Sequence, residues 1–210
     1  MKSSKVFEQF RASMTLDHDA WHDGIGYDMT AVASAKARDK EAIAALVIPP
    51  RGWRDVETLA TLDTEIARAA LREAIRSDVP EVRTAVTRFA PSLVSDDEKT
   101  ELLVRALTSG AFYQDMSSAL RQVEHFHPKP VIDAMFRALL TQSGTEAVHL
   151  AAMLAFVHKK AKTTFDWGKR PLFLKFNTDN EADRRAAFTE LCKLLKIDET
   201  STLARIQAME

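Results

Sequence analysis

Every helix-breaking residue in this chain falls at a boundary, and that limits what the segments in between can become. Glycine and proline disrupt helix interiors. Gly24, Gly26, Gly52, Gly110, Gly144 and Gly168 all lie between runs of periodic apolar residues, as do Pro49, Pro50, Pro91, Pro128, Pro130 and Pro171. Pro80 follows Asp78 closely, at a first-turn position where a helix needs no N–H. The runs themselves repeat at three and four residues, as in Val82, Ala85, Val86 and Phe89, or Val131, Ile132, Met135, Phe136 and Leu139. Such spacing predicts amphipathic helices rather than strands, about a dozen of them. Asp78 with Glu81, Ser95 with Glu98, Ser143 with Glu146 and Thr178 with Glu181 have capping-box spacing and predict helix starts.

Composition narrows the function classes. With 46% hydrophobic and 28% charged residues, the chain can bury a core. Lysine and arginine total 29 against 30 acids, so no overall field draws it to nucleic acid or an anionic membrane. Recognition must be local. The single cysteine, Cys192, excludes an internal disulfide and a cysteine-rich zinc site, and its apolar helical setting predicts a buried thiol. The first fourteen residues interleave Lys2, Lys5, Glu8 and Arg11 with apolar ones, unlike a signal peptide, and no apolar run is long enough to span a membrane. A cytoplasmic protein is the expectation.

An internal repeat appears when the helical runs are aligned. Leu71, Ile75, Val82, Val86 and Phe89 correspond to Leu103, Leu107, Met116, Leu120 and Val123, and these to Met135, Leu139, Val148, Ala152 and Ala155, at a spacing of 32 to 34 residues. Ile43 with Val56, Leu59 and Ala60 forms a shorter antecedent. One two-helix unit leaves an apolar face that only a neighbouring unit can cover, which is the physical reason for repetition.

The stretch from Ala70 to Pro91 resembles a HEAT repeat, with Asp78, Pro80, Glu81, Val82, Arg83 and Ala85 matching the inter-helix turn and second helix. The next two units keep the apolar skeleton but not the Asp-x-Pro-Glu-Val-Arg turn. The fold expected is therefore all-α: a short α-solenoid of stacked antiparallel hairpins. It would be one domain over 1–210, with an N-terminal cap at 1–38, HEAT-like repeats at 39–160, and an aromatic, basic segment with capping helices at 161–210. The resemblance implies a scaffold that binds another macromolecule, usually a protein, and implies no reaction.

Several residue groups invite a chemical role. The N-terminal cluster Trp21, His22, Asp23, Tyr27 and Asp28 is dense in polar and aromatic side chains, and His18 with His22 has the spacing of two metal ligands on a helix. No glutamate follows His18 as in metalloprotease helices, so the cluster reads better as a solenoid end plug, with Trp21 and Tyr27 covering apolar surface and aspartates capping helices. His125 and His127 form a second pair without a visible acidic or cysteine partner beyond Glu124. His149 and His158, nine residues apart in one helix, point to opposite faces.

Residues 158–177 place Lys159, Lys160, Lys162, Lys169, Arg170 and Lys175 against one acid, Asp166, and interleave them with Phe165, Trp167, Phe173 and Phe176. Cations beside stacking aromatics suit single-stranded nucleic acid or a protein hot spot. The same aromatics could equally anchor an irregular connection, with the lysines as its solvated side. Trp53 and Arg54 repeat the theme before Asp55, which is placed to cap its helix while Trp53 staples it.

No nucleophile elbow, phosphate loop or dinucleotide fingerprint is present, because Gly24-Ile25-Gly26 lacks a third glycine and a preceding strand. Asp97 with Glu101 reads as helix-start electrostatics. No cofactor or metal is expected. The function these features predict is a non-enzymatic protein-binding module, in its concrete version a bacterial immunity protein that neutralises a toxin. That version rests on the chain's size, expected solubility and lack of catalytic signatures, together with a resemblance of the Trp-His-Asp-Gly and Phe-Asp-Trp-x-x-Arg-Pro segments to uncharacterised bacterial HEAT-like proteins. Its candidate partner-binding residues are Trp53, Arg54, Phe165, Asp166, Trp167, Lys169 and Arg170. The alternatives are a nucleic-acid binder of the HEAT-like DNA glycosylase kind using 158–177, and a small metal-dependent enzyme using His18, His22, His125 or His127.

Overall fold

A computed structural model describes residues 4–15, 18–19, 23–108 and 116–208, and among them every regular element is helical. There are thirteen α-helices and three short 3-10 turns in that set, with no strand. The described helices lie in two compact units, Met1–Asp96 and Asp97–Glu210. Each has its own apolar core.

The first unit contains α1 (Lys5–Ser13), α2 (Met29–Ser34), α3 (Ala37–Val47), α4 (Trp53–Leu62), α5 (Glu65–Ala74) and α6 (Pro80–Phe89). Starts follow capping chemistry: Ser4 Oγ accepts the Phe7 N–H at 3.0 Å, Asp28 Oδ1 that of Ala31 at 2.9 Å, and Thr64 Oγ1 that of Ala67 at 3.2 Å. Each helix buries one stripe: Ile43, Ala44 and Val47 from α3, Val56, Leu59 and Leu62 from α4, Ala67, Leu71 and Ala74 from α5, Val82, Ala85 and Val86 from α6. Consecutive helices pair as α1 with α2, α3 with α4, and α5 with α6, while α1 also packs on α3, α2 on α4 and α4 on α6. Lys40 Nζ donates to the Leu62 carbonyl at 3.1 Å, placing a cation at the negative end of α4.

The second unit contains α7 (Asp96–Thr108, whose first residue closes the first unit), α8 (Ser117–Val123), α9 (Lys129–Thr141), α10 (Thr145–Val157), the single-turn α11 (Arg170–Phe173), α12 (Glu181–Leu195) and α13 (Glu199–Gln207). Its centre is α10, which buries Ala147, Val148, Leu150, Ala151, Ala152, Met153, Leu154 and Ala155. A helix apolar on all sides belongs inside a core. It packs on α9, α11 and α12, while α9 also receives α12 and α13. Asp133 on α9 is buried and accepts from Arg205 Nη2 of α13 at 2.9 Å and from Lys129 Nζ at 3.1 Å, so the carboxylate is met by two cations. Those hydrogen bonds hold its pKa below the ordinary range although burial alone would raise it.

Of the fifteen aligned repeat positions, thirteen are buried and Ile75 and Phe89 half-buried, so the apolar register read from the sequence is the core register. Three of the four capping boxes are displaced, while α7 begins at Asp96, directly after Ser95 as the spacing predicts. The N-cap of α6 is Val79 rather than Asp78, and Pro80 stands at the first helical position as expected. The N-cap of α10 is Gly144, with φ 76° and ψ −151°, a conformation open essentially to glycine alone; Ser143 Oγ turns away to donate to Asp179 at 2.7 Å. For α12 the cap is Asn180, whose Oδ1 accepts from Ala182 and Asp183, while Thr178 supports the Asn180 N–H. Among the described residues, no helix is long and apolar enough to cross a membrane.

Candidate functional site

The segment after α10 is set up by a turn that the sequence disguises. Lys159 takes the left-handed conformation at φ 58°, Lys160 N–H reaches back to the Ala155 carbonyl and Lys159 N–H to Phe156, closing the helix as a Schellman motif usually built on glycine. The chain re-enters helix as a 3-10 turn at Trp167–Lys169, runs on through α11 and ends in a second 3-10 turn at Leu174–Phe176. This run has two faces. Phe173 and Phe176 point inward and are fully buried against the core. Trp167 points outward at 73% exposure, and Leu174, seven residues on, at 41%. Arg170 and Pro171 between them are exposed as well.

Local electrostatics hold the exposed tryptophan in place. Asp166 starts its turn by accepting from the Gly168 N–H at 2.9 Å, and receives Lys169 Nζ at 3.0 Å and the Lys162 N–H at 3.4 Å. The Lys169 hydrogen bond first, then the two backbone donors, keep the Asp166 carboxyl below its usual range, so it is an anion at neutral pH. Phe165 stands edge-on to Trp167 at 5.7 Å and to Phe173 at 5.8 Å, linking the outer ring to the buried one. The Arg170 guanidinium lies over the Trp167 ring at 5.2 Å. Lys175 is paired with Glu190 at 2.7 Å. The aromatic set therefore divides: Phe173 and Phe176 anchor, Phe165 bridges, and Trp167 is presented.

Trp53 and Arg54 belong to the first unit and sit differently. Trp53 is half-buried, not exposed as its sequence neighbourhood suggests, because it stacks on Phe89 of α6 at 6.2 Å with rings 16° apart. Arg54 lies over the indole at 4.6 Å and donates from Nε to the Ile25 carbonyl at 2.7 Å. Arg88 lies over the Phe89 ring at 4.5 Å, so each ring of the stacked pair has an arginine against it. Asp55 accepts the Arg51 N–H at 2.8 Å in front of α4 and the Tyr27 hydroxyl at 3.2 Å. Burial, then the Asp55 charge, push the Tyr27 phenol up to about 12. Burial also raises the Glu57 carboxyl, opposed by Arg88 and Arg54.

From the N-terminal cluster, Tyr27 packs edge-on to Phe10 at 5.7 Å, and Asp28 caps α2 while its N–H donates to Ser13. Asp23 lies in an exposed turn. Trp21 and His22 lie outside the described residues, and with them the pairing of His18 and His22. His18 itself is exposed, 3.6 Å from Asp19. His125 is exposed, and His127 Nδ1 lies 2.8 Å from the Val123 carbonyl. His149 packs on Phe165 and His158 on Phe136, different neighbours on different faces of α10, and burial lowers the pKa of both so that they stay neutral. Cys192 is buried, and its thiol is pushed up to about 11, first by burial and then by Glu199. Glu101 pairs with Arg105 at 3.4 Å. Among the described residues, no three histidine, cysteine or acidic side chains converge as a metal site would require.

Sequence reading passed over Leu174 as an exposed apolar residue of the same run, and over Phe89 and Arg88 as neighbours of Trp53. No protein-family model matches the chain, and no curated protein or solved structure matches it.

Proposed function

We propose that the chain is a non-enzymatic protein-binding module, and that its partner docks on the outward face of the run from Trp167 to Leu174. The observation that carries this is Trp167 itself: a large aromatic at 73% exposure, covered by Arg170 and held by Phe165, which in turn packs on the buried Phe173. Leaving an indole in water forgoes the burial that folding could have given it, and Trp with Arg are the residues that most often dominate binding energy at interfaces. A ring already held by its neighbours costs little ordering when a partner arrives.

The HEAT-like solenoid reading is supported in the first unit, where hairpins α1–α2, α3–α4 and α5–α6 follow one another with first helix on first helix at one step and second on second at two. In its concrete form the module is an immunity protein that binds and neutralises a toxin in the cytoplasm. Nucleic-acid binding is the weaker reading, because Asp166 and Glu190 already neutralise Lys169 and Lys175, two of the six cations that suggested it.

The test is capture from the native host with identification by mass spectrometry, comparing the native chain with Trp167→Ala and Arg170→Ala. Each substitution should weaken the captured complex by about 2 kcal/mol, roughly thirtyfold, while helicity is unchanged. Equal capture by all three proteins would remove this surface from the interface. A gel shift at two salt concentrations separates the second reading, since only nucleic-acid binding would be both strong and steeply salt-sensitive there.

A further inference from the structure

We infer that the partner meets this surface with an acidic protein segment carrying an apolar side chain. The inference rests on the protein-binding reading and adds the chemistry of what is bound. Trp167 and Leu174 give the apolar part of the surface, both outward on one short helical run, with Pro171 exposed between them. The charge around Trp167 is net positive. Lys162 is exposed, and its backbone N–H donates to the carboxylate of Asp166, the residue before Trp167. Arg170 is exposed on the indole. Lys169 is the third cation, and Asp166, the only acid in 158–177, is held by it at 3.0 Å. Three cations against one anion leave a net positive rim around an apolar centre.

A partner that covers Trp167 must also take Arg170 and Lys162 partly out of water. Carboxylates opposite them offset that cost and a basic or neutral face does not. The guanidinium offers a planar fork that matches a carboxylate with two hydrogen bonds, and its position over the ring already limits its rotamers. The apolar centre selects against a purely acidic tail, because Trp167 and Leu174 gain only from burial. Single-stranded nucleic acid could also use a stacking indole and cations, but it would need phosphates tracked by a line of unpaired cations, whereas Asp166 and Glu190 interrupt that line at Lys169 and Lys175.

The experiment is selection of a phage-displayed library of random dodecapeptides on the full chain at low salt, followed by affinity measurements on the enriched peptides and on a fluorescent oligothymidine. Enriched peptides are expected to combine aspartate or glutamate with leucine, phenylalanine or tryptophan. Their affinity should fall about tenfold with Trp167→Ala, a change at a largely exposed ring whose intact fold is checked by helicity, and about threefold with Leu174→Ala. Raising salt to about 0.3 M should weaken them several-fold, and the double variant Lys162→Glu, Arg170→Glu should abolish their binding. The inference is overturned by enriched peptides without an acidic excess, by enrichment no better than on an unrelated helical protein, or by peptides that bind Trp167→Ala as well as the native chain. It is also overturned by oligothymidine binding more tightly than any peptide with the same dependence on Trp167. If capture from the host depends on Trp167 while the selected peptides are not acidic, the protein-binding reading stands and only the charge assignment falls.

Discussion

The two units reach a buried core by different routes. In the first, no described helix is apolar all round; each shows one stripe, and α5 contributes only Ala67, Leu71 and Ala74. Its cohesion is spread over many thin interfaces, with aromatic and arginine layers closing the edge at Trp53 and Phe89. In the second, α10 sits inside the others with eight buried residues, and Phe136, Phe173, Phe176 and Phe188 are fully buried in the same core. A spread design tolerates the loss of any one contact, whereas a centred design concentrates the loss. The second unit also carries the exposed Trp167. A rigid centre is what allows an indole to be held outward without support from a partner.

The sharpest way to break that comparison is Phe136→Ala. Phe136 touches Phe188 and His158 in the centred core, so the cavity should cost about 3–5 kcal/mol, against about 2–3 kcal/mol for Leu71→Ala in the first unit. Hydrogen exchange read by mass spectrometry along the chain should show the loss of protection confined to the unit carrying the change. Equal costs would mean that the centred design has no energetic consequence.

Next in size is the contrast between two tryptophans. Trp53→Ala removes a stacked, half-buried ring and should destabilise its unit by about 2 kcal/mol in chemical denaturation. Trp167→Ala should change stability by less than about 0.5 kcal/mol. A destabilising Trp167→Ala would make this ring part of the core and remove it as an interaction residue.

The smallest effect is one of sign. His149 and His158 in the second unit have pKa values lowered from 6.5 by burial, so the unfolded chain binds their protons first. Stability from these neutral histidines is present above about pH 6.5 and is lost as pH falls toward their folded values. Glu57 in the first unit is raised from 4.5, so there the folded state binds the proton more tightly and acidification toward 4.5 adds stability. Exchange protection measured between about pH 7 and 5 should therefore fall in the second unit and hold or rise in the first, and His158→Phe should reduce the fall. A parallel change in both units would contradict the assignment.

The sequence held the helices and their buried faces plainly, because breaker placement and apolar period are local properties. Val82, Val86, Leu103, Met116 and Val148 are buried where the pattern put them. Helix ends were less legible, since a cap depends on one residue's backbone conformation: Lys159, Lys196 and Asp63 adopt the left-handed geometry for which glycine is the usual sign, and Gly144 displaces Ser143 as a cap. Long-range pairings were not legible at all. Asp133 meets Arg205 across 72 residues, and nothing near Trp53 reveals that Phe89 covers it while Trp167, with a similar Asp-and-Arg neighbourhood, stays outside.

The buried Cys192 gives the chain a silent background for thiol chemistry. With its thiol held up to about 11 and shielded inside the second core, the native protein should be inert to maleimides at neutral pH. A cysteine introduced on the surface could then carry a dye or crosslinker alone, and slow alkylation of Cys192 would serve as a clock for how often that core opens.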